Sequence, residues 1–164
     1  MRLWHKDLIS FLPRQQLLGQ WRECCAIAKS LKNVGTPNHI LVNRILEYPT
    51  EHFYTYGKLI VDEMTRRGYH VNGKVWKYFV RDLMIFNEKS LGGNAAEERK
   101  GNEGWIVHYF DEFPVSYANL FSHWHNERYF AQCIANLEEK FDCGGIPVDD
   151  WNNIYHYFFG RGDS

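Results

Sequence analysis

The apolar positions in the first part of the chain repeat with the period of an α-helix. They fall at intervals of four and three residues, at Leu17, Trp21, Cys24, Ala28 and Leu31. This spacing predicts one amphipathic helix that begins near Pro13, a residue favoured at a first helical position, and continues to about Lys32. The opposite face would carry Gln15, Gly19, Arg22, Glu23 and Ala26. Its centre is two residues with almost no side chain, flanked by a guanidinium and a carboxylate.

Helical periodicity continues through most of the remaining sequence. It predicts helices over residues 37–47 after Thr36 as N-cap, over 50–67 with Thr50 as N-cap and Gly68 as terminator, and over 73–87. One or two helices are expected between 115 and 141, and a last one from Pro147. Residues 88–104, rich in glycine and charge, predict a long flexible loop, 105–113 lean toward β structure, and 160–164 form a tail. The fold class predicted is an all-α, compact, single domain spanning residues 1–164.

Length and composition agree with a single packed domain. The 164 residues are 45% hydrophobic, and six Trp, ten Tyr and eleven Phe exceed what a core of this size needs. The four cysteines include no CxxC pair and no secretory segment precedes them, which favours reduced thiols and a cytoplasmic protein. No run approaches the roughly 18 apolar residues of a membrane span, so no membrane partner is expected.

Charge is distributed unevenly along the chain. The net charge is −1, but residues 1–44 hold seven basic and two acidic residues, a net +5. The other 120 residues hold 12 basic and 18 acidic residues, a net −6. A positive lobe beside a negative one indicates local anion binding and argues against a uniformly basic nucleic-acid coat.

Several short runs resemble one enzyme family. The run from Leu17 to Glu23, preceded by Gln15, resembles the catalytic helix of the endonuclease V family, the phage and viral pyrimidine-dimer DNA glycosylases. Further similarities are Met1-Arg2-Leu3, Asn38-His39 and the run from Met64 to Val71, so the resemblance covers roughly residues 1–71. The whole chain also looks like a poorly characterised bacterial and phage branch, which shares Leu12-Pro13-Arg14, Trp124-His125-Asn126 and Asp142-Cys143-Gly144-Gly145.

The resemblance implies a DNA glycosylase with coupled abasic-site lyase activity. The Met1 α-amine would attack the damaged nucleotide and form a Schiff base, and Glu23 would transfer protons. The DNA-binding residues implied or suggested by position are Arg2, Arg14, Gln15, Arg22, His39 and Arg44. The expected partner is double-stranded DNA with damaged or modified bases, pyrimidine dimers being the first guess. We expect a monomer associated with the nucleoid that uses no metal and no cofactor.

The nucleophile departs from the family pattern. In the family the initiator methionine is removed and a small residue precedes the arginine, whereas here Arg2 follows Met1 directly. A bulky second residue blocks methionine removal, so the amine of Met1 itself is predicted to react. α-Amines as a class titrate near pH 7.7–8.0 and lysines near 10.4, so roughly a tenth of an α-amine is neutral and nucleophilic at pH 7. A second departure is Ala26, which lies near a position where the family has another arginine.

The residues leave other functions open. One alternative is a non-catalytic DNA-binding or phage–host interaction protein that kept the fold. Another is a metal hydrolase built on His123 and His125, although their spacing would point them apart on a helix. A further option is nucleophilic thiol chemistry at Cys24 or Cys25 with His39. Cys24 lies on the apolar stripe and Cys25 lies beside it, which favours buried, unreactive thiols instead.

Overall fold

Helices form all the regular secondary structure that the computed structural model describes, over residues 1–92, 107–112 and 114–160. The α-helices are α1 (Arg14–Val34), α2 (Thr50–Arg66), α3 (Gly73–Ser90), α4 (Glu127–Asp142) and α5 (Val148–Phe159). Two short 3-10 helices, η1 (Lys6–Phe11) and η2 (Asn43–Glu47), complete the order. No strand occurs in these ranges, which confirms the all-α class. None of the described helices is long and apolar enough to cross a bilayer.

Helix α1 is central to the packing, with its main partner α3 and a second partner α2. Its apolar stripe is buried as the spacing predicts, and Leu17, Cys24 and Ala28 have no exposed surface. Trp21 of this stripe lies 6.0 Å from the ring of Trp76 and 5.1 Å from that of Phe79, both on α3. One cluster of buried apolar residues extends from Leu3 to Ile154. Burial of this stripe leaves the opposite face of α1 available for other contacts.

Prolines and glycines bound the helices much as predicted. Pro13 and Pro147 occupy the N-cap positions of α1 and α5, so Pro13 lies one residue before the first helical position at which it was predicted. Helix α2 ends in a Schellman motif, in which Gly68 has a φ of 80° and the Tyr69 N–H donates to the Met64 carbonyl at 2.9 Å. The N-cap of α2 differs from the prediction, since Pro49 holds that position and no side chain caps the helix.

The prediction of a helix over residues 37–47 is wrong. Only η2 forms there, because side chains in this segment bond to its own backbone. The Asn38 N–H donates to Thr36 Oγ1 at 3.1 Å, and the His39 N–H donates to Asn43 Oδ1 at 3.2 Å. Asn38 also has a φ of 56°, which a helix does not allow. Such local bonds compete with helical hydrogen bonds and favour a turn.

The second half contains fewer helical residues than predicted in its middle. Residues 117–124 form turns, and the only helix described between 115 and 141 is α4, which Asn126 caps by accepting from the Tyr129 N–H at 2.9 Å. Residues 107–112 are turns rather than β structure, and α3 continues to Ser90, inside the predicted loop. The rest of that loop, residues 93–104, and the tail 161–164 lie outside the described residues.

A close helix contact provides a test of this packing. At Gly57 of α2 an added Cβ would lie 2.4 Å from Phe79 Cζ of α3, and Phe79 is itself enclosed by the rings of Trp21 and Trp76. We therefore expect Gly57→Ala to destabilise the fold by about 1–3 kcal/mol. At Gly19 an added Cβ meets only Arg22 Nη2 at 3.9 Å, so Gly19→Ala should stabilise α1 by up to about 1 kcal/mol.

Urea unfolding followed by circular dichroism measures both variants. Equal stabilisation by the two alanines would contradict the close approach of α2 and α3 at Gly57.

Candidate active site

A buried glutamine holds the backbone at the beginning of the chain. Gln20 of α1 is 1% exposed. Its Nε2 donates to the Arg2 carbonyl at 3.1 Å, and its Oε1 accepts from the Trp4 N–H at 2.7 Å. Two backbone groups of the N-terminal segment, which we define as residues 1–5, are therefore bonded to a single side chain in the core.

Two tyrosines hold the same segment from other elements. The Tyr56 hydroxyl of α2 lies 2.7 Å from the Trp4 carbonyl and 3.0 Å from Gln20 Oε1, and its proton can serve either acceptor. The Tyr129 hydroxyl of α4 donates to the Leu3 carbonyl. Chain termini fray unless they are tied down, so these bonds explain how the first residues keep a defined position.

Gln20 also contacts the predicted catalytic carboxylate. The same Nε2 donates to Glu23 Oε2 at 3.2 Å, one turn further along α1. Glu23 is half-buried and has no ion pair with any described residue. Glu63, by contrast, is buried and bonded to the guanidinium groups of Arg66 and Arg67. Glu23 therefore keeps acceptor capacity that an ion-paired structural carboxylate would have lost.

Met1 lies at the open end of the N-terminal segment. It is 48% exposed, while Leu3 and Trp4 behind it are buried. The Arg2 carbonyl, in the next residue along the chain, shares its amide donor with Glu23. The arrangement thus combines an exposed N-terminal residue, an anchored backbone and a half-buried carboxylate bonded to the same glutamine.

The polar face of α1 is open to solvent. Gln15, Arg22 and Ala26 are exposed, and the end of the Arg22 side chain is the only described group within 4 Å of a Cβ added at Gly19. Arg14 at the start of the helix is exposed and lies over the ring of Tyr69 at 5.2 Å. Neither Arg14 nor Arg22 has an ion pair with a described residue, so both guanidinium groups can accept an anionic partner.

The other predicted DNA-binding side chains already have protein partners. The Arg2 guanidinium lies 3.7 Å from Cys133 Sγ and 5.8 Å from the Trp4 ring centroid. Arg44 pairs with Glu47 at 3.8 Å and lies 5.6 Å from the Trp124 ring. His39 Nδ1 accepts from the Leu41 N–H at 3.3 Å. These three would have to exchange or share their contacts to reach a phosphate.

Lys6 is the lysine nearest in sequence to the N-terminal segment. Burial lowers its pKa, which by itself would favour a nucleophilic amine. Its Nζ, however, donates to the carbonyls of Tyr117 at 2.6 Å and Leu120 at 2.9 Å. These contacts stabilise the ammonium form and hold it in place, so Lys6 is a poorer nucleophile than its pKa suggests.

The two histidines of the HxH run have different environments. His125 is buried and its Nδ1 accepts from the Lys6 N–H at 2.9 Å, whereas His123 is exposed. Within the described ranges no group of three or more His, Cys, Asp or Glu side chains could hold a metal ion. The metal hydrolase alternative therefore has no ligand set among these residues.

The adjacent thiols are poorly suited to nucleophilic attack. Cys24 is fully buried, and burial raises its pKa well above the ordinary value. Burial and the nearby Asp82 raise the pKa of Cys25 to about 11. A thiolate is the reactive form of cysteine, so neither side chain supports the thiol alternative.

One comparison with known proteins finds a similarity in the N-terminal part of the chain. Residues 1–77 match the family model described as pyrimidine dimer DNA glycosylase. The match supports the family resemblance seen in the sequence, for the part of the chain that contains the N-terminal segment, α1 and α2. No curated protein and no solved structure matches the chain.

Buried His125 generates a prediction about pH. Burial, with smaller contributions from His5, Lys6 and Arg44, lowers its pKa to about 2, against an ordinary value of 6.5. Below pH 6.5 the unfolded chain therefore binds a proton that the folded protein does not, and stability falls by up to about 1.4 kcal/mol per pH unit. His125→Asn keeps an acceptor for the Lys6 N–H without a titrating ring.

We expect His125→Asn to lose less stability than the wild type between pH 8 and 5.5, even if it is less stable at pH 8. His123→Asn is the matched control and should keep the wild-type dependence. Urea unfolding midpoints at several pH values measure this difference. Parallel plots of stability against pH for the wild type and His125→Asn would show that His125 is not a buried neutral histidine.

Proposed function

We propose that this protein is a DNA glycosylase with coupled abasic-site lyase activity, in which the Met1 α-amine is the nucleophile and Glu23 the proton-transfer group. The observation that carries the proposal is the shared amide donor of Gln20, which bonds both Glu23 and the backbone next to Met1. The match of residues 1–77 to the pyrimidine dimer DNA glycosylase family model supports the glycosylase part of the proposal. A glycosylase that forms a Schiff base needs an amine and a carboxylate at one sugar, because both act on adjacent carbons.

The reaction proceeds in two stages. The neutral amine attacks C1′ of the nucleotide, the glycosidic bond breaks, and its electron pair leaves with the base, which takes up a proton. The nitrogen loses a proton, its lone pair then forms the C=N bond to C1′ as the C1′–O4′ bond breaks, and O4′ takes up a proton, which leaves the protonated Schiff base. Glu23 then removes a proton from C2′, and the electron pair expels the 3′ phosphate, which nicks the strand. No oxidant or metal is required for this balance.

The substrate is double-stranded DNA that carries a damaged or modified base. Pyrimidine dimers are the first substrates to test because they name the matching family. The sugar becomes accessible only when the duplex is kinked and a nucleotide leaves the stack, which costs least at damaged sites. The open strip at Gly19 and Ala26 offers the space for the DNA backbone to approach α1 closely.

Trapping with borohydride tests the nucleophile and the carboxylate separately. Wild-type protein should form a reduced covalent adduct and cut duplexes that contain a dimer or an abasic site. Glu23→Gln cannot accept a proton, so strand cleavage should fall by at least about 100-fold while DNA affinity is kept or raised. Selective acetylation of the Met1 amine should abolish both cleavage and trapping.

Lys6→Arg and Lys29→Arg serve as controls and should keep the adduct. Trapping that survives N-terminal acetylation but disappears in either lysine variant would assign the nucleophile to a lysine. A protein that binds damaged duplex without adduct or cleavage on any substrate would instead be the non-catalytic DNA-binding alternative.

The salt dependence of DNA binding tests the proposed contact face. Each phosphate neutralised contributes about −0.9 to the slope of log K against log salt on duplex DNA. Arg22→Ala and Arg14→Ala should each make that slope shallower by about one unit, because both guanidinium groups are exposed and unpaired with described residues. Arg2→Ala should make the slope shallower by a smaller amount, because the Arg2 guanidinium would have to share its contacts with Cys133 Sγ and the Trp4 ring.

Lys140→Ala, an exposed lysine near the end of α4, is the matched control and should leave the slope unchanged. Fluorescence anisotropy over a salt series provides the measurement. Unchanged slopes in the Arg14 and Arg22 variants would locate the DNA on another face.

A further inference from the structure

We infer that Gln20 is a positioning residue, whose side-chain amide holds the Glu23 carboxylate and the backbone of the reacting amine in one common frame. This inference rests on the proposed function and deepens it. Neither the composition of α1 nor the family motif assigns Gln20 a role. Its side chain would not touch the substrate, since it is 1% exposed.

The geometry allows Gln20 only one amide orientation. Both hydrogens of Nε2 have acceptors, the Arg2 carbonyl and Glu23 Oε2, and Oε1 faces the Trp4 N–H. A flipped amide would direct Nε2 at the Trp4 donor and Oε1 at a carbonyl and a carboxylate. All three contacts would then be repulsive. The orientation of the amide is thus set by backbone groups of the N-terminal segment.

The two carboxylate oxygens of Glu23 therefore differ in their hydrogen bonds. Oε2 accepts from Gln20, while Oε1 has no hydrogen bond to a described residue. Gln20 therefore limits the torsional freedom of the carboxylate and leaves one oxygen for the proton transfers. Because the Arg2 carbonyl accepts from the same nitrogen, any shift of the amide would move the amine and the carboxylate together.

Tyr56 provides a matched comparison for this role. Its hydroxyl bonds the same N-terminal segment at Trp4 and lies 3.0 Å from Gln20 Oε1, but among the described residues it has no hydrogen bond with Glu23. If Gln20 had only a structural role, removing its side-chain amide would change trapping and cleavage in the same way as removing the Tyr56 hydroxyl. A positioning role adds a defect in the step that needs the carboxylate.

The experiment uses a duplex with one preformed abasic site, on which Schiff-base formation and elimination are measured separately. Tyr56→Phe should slow borohydride trapping by up to about 10-fold and leave cleavage per adduct unchanged. Gln20→Met should slow trapping and also lower cleavage per adduct by about 100-fold. In a Glu23→Gln background the second effect of Gln20→Met should vanish, because the carboxylate it orients is gone.

Identical profiles for Gln20→Met and Tyr56→Phe would overturn the inference while leaving the glycosylase proposal intact. If Gln20→Met does not fold, Gln20→Glu replaces it with nearly the same shape. That variant should lose cleavage per adduct at neutral pH and recover part of it as the pH falls, when a protonated acid can again donate a hydrogen bond. A loss that does not depend on pH would count against the inference.

A measurement independent of activity checks the contact itself. The side-chain amide protons of Gln20 should exchange slowly with water in NMR spectra, and Glu23→Gln should shift them, whereas Asp149→Asn on α5 should not. Exchange as fast as that of exposed Gln15 would overturn the inference whatever the activity. Slow exchange in a wild-type protein that forms no adduct on any duplex would remove the glycosylase proposal, and the positioning role with it.

Discussion

The structure depends on one buried amide that connects the beginning of the chain to its longest helix. Without the bonds of Gln20, the Arg2 carbonyl and the Trp4 N–H would face the core with unsatisfied polar groups, each costing about 1–3 kcal/mol. With them, a terminus that would otherwise fray becomes part of the core. The same amide reaches Glu23, so the constraint that orders the terminus also orders the carboxylate.

Other side chains hold the rest of the segment before α1, residues 6–13. His125 accepts from the Lys6 N–H, and its ring stacks on His5 at 5.0 Å. Just before α1, the Leu12 carbonyl accepts from the Arg67 guanidinium at 2.7 Å, and the charge of Arg67 is balanced by Glu63. The segment before α1 is thus held at both ends by partly buried hydrogen bonds from different parts of the fold.

The parts of this account that the sequence predicts are local in origin. The stripe from Leu17 to Leu31, the prolines before the helices and the glycine at position 68 act within a few residues, so their consequences can be derived from spacing alone. The helix predicted between Thr36 and Glu47 does not form, because hydrogen bonds from side chains to the backbone within this segment outweigh its helical periodicity. The hydrogen bonds of Gln20 were not predicted because tertiary structure brings their partners together. The one sequence signal was a polar residue bordering an apolar stripe. Tyr129 and Leu3, which are 126 residues apart, meet for the same reason.

The central claim is that the anchored terminus provides the reacting amine, and peptide mapping of the reduced adduct tests it most directly. The wild-type protein is trapped with borohydride on an abasic duplex, the DNA is digested, and the attached sugar is located by tandem mass spectrometry. The account expects the added mass on the α-nitrogen of Met1. A sugar attached to Lys6, Lys29 or any other lysine would contradict it.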